Sequence, residues 1–406
     1  MEYNRNMERI TTAIIGGGAA GLMLACSLEN PKGVVLFERG ERLGRKLSST
    51  GNGQGNLTNL GVVGAEYFSV SKSAAFVNGA IAAFDDKSMT AFFRALGVLC
   101  IADERGRVYP SGRQASALTD ALRFCAARKG IDTRLKTQVT SIEKEGTGFV
   151  LTLAKEVGQV RVYAENVVLC AGGKSAKNFG TDGNAYALAQ SLGHTVTALY
   201  PSLVQLKTDV QYTKTLKGIR VNDGVIRAQT PTRSLSVQGD IIFTDYGVSG
   251  DAVFRLSAFI ARELSSQKCE LFIDFLPPYT EEEIYTLLQA KKVAFPEMDE
   301  TELLCGVVNN QIGRAVMRRA EKDIKRAARL VKAFSLTATG SLGFDYAQVT
   351  KGGIPCGEVT ECLQSRKTPN LYFAGEILDV DGQCGGFNLQ WAYSSSQVVA
   401  KALNSK

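Results

Sequence analysis

Apolar residues in the first half of the chain form short continuous runs separated by amphipathic stretches. One run ends at Gly16 with helical spacing after it, and the second is Val34–Phe37. Continuous apolar strands that alternate with helices are typical of a parallel sheet covered on both faces. The same patterns predict helices over residues 74–84, 88–96 and 115–129 and strands over residues 133–142, 149–153, 160–163 and 167–173.

The pattern changes near residue 200. Short strand-like segments with turn residues between them continue to about residue 276 and predict an antiparallel sheet or small barrel. Thr280 and Glu283 then form a capping box that opens a helical stretch to about residue 335. The predicted organisation is one discontinuous α/β domain, residues 1–199 and 336–406, with an inserted domain that is β-rich over 200–276 and helical over 277–335.

A glycine pattern marks the end of the first strand. Gly16-x-Gly18-x-x-Gly21 follows the apolar run and opens a helix. Such glycines permit a tight turn, a close approach of the backbone to a pyrophosphate and close packing of helix on strand. Glu38 ends the second strand, where an acidic residue reaches a ribose hydroxyl. These features predict a dinucleotide site in a doubly wound, Rossmann-like fold.

A second glycine turn lies near the end of the chain. The strand-like segment 370–375 runs into glycine and acid, and Gly385-Gly386 precedes a terminal helix that extends through Leu403. A glycine turn at a helix N-terminus favours anions. If this strand returns to the first sheet, both helix N-termini flank one bound dinucleotide.

Composition excludes several classes of protein. The 406 residues are 45% hydrophobic and 21% charged, which is typical of a soluble α/β protein. Nine scattered cysteines and a single histidine argue against a disulfide scaffold and a metal site. We interpret His194 as structural. The polar start and the glycine-interrupted apolar segment after it favour a cytoplasmic chain without membrane insertion.

The net charge of +7 has a local origin. Residues 314–332 carry eight basic and two acidic residues, and their apolar positions predict one helix with a basic face. Nucleic-acid binding is one interpretation. Since no aromatic residues interleave the charges, we favour a solvated face.

Several ordered motifs resemble the BaiN/YhiN-type flavoproteins over nearly the whole chain. The resemblance implies FAD as cofactor, a doubly wound FAD-binding domain and an inserted β-barrel plus helical domain. The motifs are residues 14–21, Glu38, residues 44–47, 50–59, 171–173, 243–250 and 371–391.

The same resemblance implies cofactor contacts. The pyrophosphate is expected at Gly16, Gly18, Ala20 and Gly21, and the adenosine at Glu38, Arg39 and, through its backbone, Val139. The remaining expected contacts along the cofactor and at the flavin end are Lys46, Gly53, Asn56, Ala171, Gly172, Glu376, Asp379, Gly386, Phe387 and Asn388.

Two segments depart from the family pattern. Gly53-Gln54-Gly55-Asn56 stands where such proteins usually have Gly-Arg-Cys-Asn, and Ser249-Gly250-Asp251 replaces Ser-Gly-Pro. The first change removes a cation and a thiol beside the expected flavin. We therefore assign no catalytic residue. Cys384 is the one thiol near the expected flavin, and we interpret it as a small buried residue rather than a redox group.

The leading hypothesis is an FAD-dependent oxidoreductase that reduces an unsaturated hydrophobic small molecule by hydride transfer from flavin N5. The resemblance suggests an enone, since one branch of the family reduces conjugated double bonds in bile-acid intermediates. NAD(P)H would bind transiently as electron donor, because no second glycine pattern is present. The alternatives are a flavin-dependent RNA-modifying enzyme and a non-catalytic flavin-binding or redox-sensing protein.

Overall fold

The predicted alternation of strands and helices is present in the computed structural model, which describes residues 7–71, 75–155, 158–230 and 234–406. In chain order the strands are β1 Glu8–Ile15, β2 Val34–Phe37, β3 Thr58–Asn59, β4 Tyr67–Phe68, β5 Cys100–Ala102, β6 Arg107–Pro110, β7 Asp132–Arg134, β8 Gln138–Glu145, β9 Gly148–Ala154, β10 Gln159–Leu169, β11 Tyr200–Ser202, β12 Leu206–Thr208, β13 Arg220–Gln229, β14 Ser234–Phe243, β15 Gly247–Ser249, β16 Cys269–Asp274, β17 Phe334–Ser341, β18 Val349–Lys351, β19 Leu371–Phe373 and β20 Asp381–Gly382.

The predicted helices over residues 74–84, 88–96 and 115–129 are present as α2, α3 and α4, with ends that differ by no more than two residues. Ala74, the first residue of one predicted helix, lies outside the described residues. In chain order the helices are α1 Ala19–Ser27, α2 Ala75–Ala83, α3 Asp86–Ala95, α4 Ala115–Arg128, α5 Asn184–Ser191, α6 Val210–Thr213, α7 Asp251–Leu264, α8 Glu281–Ala294, α9 Asn310–Arg319, α10 Ile324–Lys332 and α11 Phe387–Asn404.

The main sheet has the strand order β7-β2-β1-β10-β9-β8, and β19 also pairs with β10. β1 runs parallel to β2 and β10, with Ile14 opposite Leu36 and Val168. β9 pairs antiparallel with the first half of β10, and β19 pairs parallel with its last residues. The C-terminal strand therefore does return to the sheet that begins at the N-terminus, and the doubly wound, Rossmann-like fold is confirmed.

α1 has apolar residues on all sides, as expected for a helix that is surrounded by other elements. It packs against α11, α4 and β1. Leu22, Met23 and Leu24 are fully buried. Burying a side chain of this size contributes roughly 1.5 to 3 kcal/mol, so this packing holds the start of α1 firmly against the sheet.

The second unit contains a closed barrel with the strand order β12-β15-β14-β13-β16-β17. Its core includes Ile226, Ile241 and Leu271, and α7 adds Val253 and Leu256 to the same cluster. The capping box at the start of α8 is present, since Thr280 Oγ1 accepts a hydrogen bond from Glu283 N. The predicted β-rich insert is thus a barrel, although the sequence reasoning did not include α7.

The chain divides into unit 1, Met1–Leu199 with Val349–Lys406, and unit 2, Tyr200–Gln348. The expected second boundary at residues 335/336 falls inside β17. This strand pairs with β12 and β16 to close the barrel, so residues 336–348 belong to the insert.

Four predicted elements differ from the structure. Residues 133–142 form parts of two strands, β7 and β8, because the backbone turns at Lys136 with φ +49°. The predicted strands over 160–163 and 167–173 are one continuous strand, β10, which ends at Leu169. The expected single basic helix over 314–332 is wrong: left-handed backbone at Glu321 and Lys322 ends α9, and Asp323 caps α10.

Candidate cofactor site

The carboxyl ends of β1, β2, β10 and β19 meet at one edge of the sheet in unit 1. Ligands of doubly wound proteins bind outside this edge, where the strand order reverses. The edge brings together residues that are far apart in the sequence. They are Gly16, Glu38, Ala171, Gly172 and Gly375.

The three glycines of the first turn have different surroundings. Gly16 has φ +108°, and a Cβ there would lie 2.7 Å from Ala171 Cα. A Cβ at Gly21 would lie 2.0 Å from Gly16 O, so this glycine allows α1 to pack on β1. A Cβ at Gly18 would have no protein atom within 4 Å. Gly18 therefore borders open space in front of the helix.

The N-terminus of α1 faces that space without a side-chain cap. Gly18 is the N-cap residue, and no side chain accepts a hydrogen bond there. The first N–H groups of a helix carry partial positive charge and bind phosphate oxygens. Ala20, in the first turn of α1, is buried. A Cβ at Gly375 would lie 2.9 Å from the Cβ of Ala20. The C-terminal segment thus lies beside the start of α1.

Glu38 is held by the backbone at this edge. Its Oε2 accepts from Gly17 N at 2.8 Å and its Oε1 from Gly40 N at 2.7 Å. Beside it, Arg39 forms an ion pair of 2.9 Å with Asp182 and also donates to the carbonyl of Gly180. Burial alone would raise the pKa of Asp182, but the hydrogen bonds it accepts, including that of Arg39, lower it.

Lys46 and Glu376 form an ion pair of 2.7 Å with side chains 23% and 19% exposed. Glu376 Oε1 also accepts from Thr350 N at 2.9 Å. Thr350 Oγ1 in turn accepts from Lys174 N and Ser175 N, in the loop after β10. This network joins three distant chain segments.

Asp379 is fully buried, and its carboxylate accepts from one short segment. Oδ1 accepts from Val70 N at 2.9 Å, and Oδ2 accepts from Ser71 N at 2.7 Å and Ser69 Oγ at 2.9 Å. Asp379 therefore anchors residues 69–71. Sequence reasoning missed these partners because no local pattern links the two segments.

The N-terminus of α11 forms a second glycine-capped helix end. Gly386 has φ +106°, and a Cβ there would lie 2.4 Å from the backbone of Thr58. Asn388 accepts from Gly382 N at 2.8 Å and donates to its carbonyl at 3.0 Å, and the Phe387 carbonyl accepts from Tyr67 at 2.9 Å. These contacts hold the turn rigidly at the start of the helix.

The other expected contacts have surroundings of their own. Asn56 is buried, and its amide donates to the carbonyls of Thr58 and Val108 at 3.0 Å each. A Cβ at Gly53 would meet no atom within 4 Å, and the Gly53 carbonyl accepts from Ala115 N. Val139 is a buried residue of β8, two residues after Thr137, whose N–H donates to the Glu38 carbonyl at 3.0 Å.

The loop that departs from the family pattern has no room for a thiol. Gly55 has φ +77°, and a Cβ there would lie 2.8 Å from Ala115 Cα. Arg113 donates to Gln54 Oε1 at 3.3 Å, so a positive charge lies beside the position where the family pattern has Arg. Cys384 is half-buried, not fully buried as expected.

His194 belongs to a buried network. Its Nδ1 lies 2.7 Å from Glu358 Oε2 and its Nε2 lies 2.7 Å from Ser365 Oγ. Ser365 Oγ already accepts from Lys367 N and Thr368 N, so it donates to the ring. The Ser365 hydroxyl is hydrogen-bonded to three partners and lies against a fully buried imidazole, so it is not available as a nucleophile. This supports a structural role for His194.

The cradle fits a dinucleotide. The open space at Gly18 and the uncapped N-terminus of α1 provide a place for a pyrophosphate. The ordered carboxylate of Glu38 provides an acceptor for a ribose hydroxyl. A profile of the HI0933-like protein Rossmann domain family matches residues 10–402. The chain belongs to this family. It is an FAD-dependent oxidoreductase of the BaiN/YhiN type.

Individual relatives extend the comparison. The chain is 32% identical to a 3-dehydro-bile acid delta(4,6)-reductase of Clostridium scindens, covering 98% of this chain and 99% of that one. It is 27% identical to a ribosomal RNA dihydrouridine synthase of Haemophilus influenzae, covering 99% of each. A 3-ketosteroid delta1-dehydrogenase of Sterolibacterium denitrificans has the same fold, with a TM-score of 0.56 at 12% identity, covering 98% of this chain and 100% of that one. Among the described helices, none has the length and apolar content that a membrane span needs.

Proposed function

We propose that this protein reduces an unsaturated hydrophobic small molecule, with a conjugated enone as the substrate class. The 32% identity to a bile-acid reductase over nearly both full chains supports this choice. The observation that carries the proposal is that α1 and α11 in unit 1 begin at Gly18 and Gly386 without a side-chain cap. FAD, when bound, supplies hydride transfer from its N5.

In this proposal the chain's own residues position the cofactor. The α1 N-terminus and Gly18 hold the pyrophosphate, and Glu38, fixed by two backbone N–H groups, lies at the ribose. Lys46 and Glu376 line the middle of the site. The N-terminus of α11 lies at the flavin end, where its dipole favours negative charge on the ring.

The electron donor in this proposal is NADH or NADPH, bound transiently. This donor can be tested by titrating the purified protein anaerobically with NADH and with NADPH, while the visible absorption of the flavin is monitored. We expect a flavin spectrum that one of the two nucleotides bleaches. A protein with no flavin spectrum would contradict the cofactor, whereas a spectrum bleached only by dithionite would contradict the donor.

RNA modification is the second candidate, because two relatives at 27% and 28% identity are named ribosomal RNA dihydrouridine synthases. Much of the basic charge over residues 314–332 is already paired. Arg314 bonds Glu302, Arg326 bonds Glu321, Lys332 bonds Asp274 and Arg329 lies 3.5 Å from Glu281. Basic side chains that are already ion-paired attract phosphate weakly. We therefore prefer small-molecule reduction to RNA modification as the function.

A further inference from the structure

Tyr186 carries a buried hydroxyl that nothing in the described part of the chain satisfies. The residue lies in the first turn of α5 and is 5% exposed. Its Oη has no hydrogen-bond partner among the described residues. A buried hydroxyl without a partner costs free energy, so native proteins rarely keep one unless a ligand or water satisfies it.

Tyr186 lies beside the Glu376 network of the candidate cofactor site. A Cβ at Gly183 would lie 3.3 Å from both Tyr186 Cδ2 and Lys174 Cβ. Lys174 N donates to Thr350, which in turn donates to Glu376.

Burial raises the pKa of Tyr186, and the nearby charges of Glu376 and Asp379 raise it further. Neither carboxylate bonds it: Glu376 accepts from Lys46 and Thr350 N, and Asp379 accepts from residues 69–71. The phenol therefore remains protonated and has a hydrogen-bond donor to offer.

The ring itself is held in place. A Cβ at Gly183, the residue that caps α5, would lie 3.3 Å from Tyr186 Cδ2, so the ring lies directly against this turn. The Tyr186 N–H donates to the Gly183 carbonyl at 3.1 Å. Because the Tyr186 ring is already held in place, binding a ligand through its hydroxyl costs little side-chain entropy.

We propose that Tyr186 is a cofactor-binding residue, whose hydroxyl donates a hydrogen bond to bound FAD beside Glu376 and Asp379. This inference rests on the proposed function, because it assumes that the site holds FAD. It adds a contact that the glycine motifs do not indicate, from a helix that the sequence analysis assigned no role.

The test compares full-length wild type, Tyr186→Phe and Tyr393→Phe. Tyr393 is also buried in unit 1, but its hydroxyl interacts with Ser88, on α3. For each protein stripped of FAD, thermal unfolding gives Tm and titration with FAD, followed by flavin fluorescence, gives Kd. For Tyr186→Phe we expect a Tm no lower than wild type and a Kd raised about tenfold, the effect of one hydrogen bond. For Tyr393→Phe we expect a lower Tm and an unchanged Kd.

Three results would overturn parts of this picture separately. If Tyr186→Phe binds FAD with the same Kd as wild type, the Tyr186 hydroxyl does not contact FAD. A Tm as low as that of Tyr393→Phe would show that the hydroxyl is already satisfied without the cofactor. If wild type binds no FAD, the proposed function fails rather than this assignment alone.

Discussion

The Lys46 ammonium and the Glu376 carboxylate lie 2.7 Å apart although 330 residues separate them in the chain. Lys46 follows the second strand, and Glu376 follows the strand that returns to the sheet near the C-terminus. The pair therefore joins both ends of the discontinuous unit 1 at the edge where we place the cofactor.

We expect Lys46→Gln to lower the free energy of unfolding by about 1 to 3 kcal/mol, between the values for exposed and buried pairs. Urea unfolding of FAD-free protein measures this, and a double-mutant cycle with Glu376→Gln isolates the pair. The matched control is Lys217→Gln, which breaks an exposed pair with Asp245 and should change little. Equal effects of the two single variants would show that the Lys46 pair is not special.

Gly18→Val should purify without flavin. The added side chain enters the open space before α1, where the pyrophosphate is expected, and its Cβ meets no protein atom within 4 Å. Gly340→Val is the control, since Gly340 also borders open space but lies in the barrel. Flavin absorption relative to protein absorption decides the outcome, and a fully flavinylated Gly18→Val would disprove the placement.

The His194 network predicts acid sensitivity. Burial acts to raise the pKa of Glu358, but hydrogen bonds from Lys367, Thr195 and His194 lower it to about 2 from an ordinary 4.5. The folded state thus binds this proton less readily than the unfolded state, so the stabilisation is present above pH 4.5 and is lost as the pH falls toward 2. Burial also lowers the pKa of His194 below 6.5, which adds a loss of stability in the same direction.

Urea unfolding at several pH values between about 7 and 3 tests this, with wild type compared to Glu358→Gln. We expect the variant to be less stable at neutral pH and to lose less stability than wild type below about pH 5. Parallel pH profiles of the two proteins would contradict the assignment of this titration to Glu358.

The surface of α9 and α10 should be dispensable for reduction. We expect the triple variant Arg318→Gln, Lys325→Gln, Arg329→Gln to keep its flavin content and turnover. Arg319 is left unchanged because its guanidinium stacks on Tyr212 and Phe334 and bonds Ser335. Binding of a ribosomal RNA fragment across a salt series is the discriminating measurement. A wild-type affinity that falls with salt and disappears in the variant would favour RNA modification.

Local patterns were sufficient to predict much of unit 1 and the start of α8 in unit 2. The glycine turn, the return of the C-terminal strand and the capping box of α8 all depend on short stretches of sequence with a physical requirement. The break between α9 and α10 carried a weaker signal, because Glu321 and Lys322 adopt left-handed backbone without glycine or proline. The capping position of Asp323, three residues before Arg326, was the one clue.

Partners that are distant in sequence were not predictable. Thr350 links Glu376 to the loop after β10, and residues 69–71 satisfy Asp379, but neither contact follows from periodicity or spacing. The second domain boundary was misplaced for the same reason, since only the pairing of β17 with β12 and β16 shows that residues 336–348 close the barrel.

The most direct test of the proposed reduction is reoxidation of the chemically reduced protein under anaerobic conditions by a steroid 4-ene-3-ketone. We expect the visible flavin absorption to return on addition of about one equivalent of the enone, with one equivalent of saturated product formed by two-electron transfer. Flavin absorption that stays bleached with enones, but returns when ribosomal RNA is added, would contradict it.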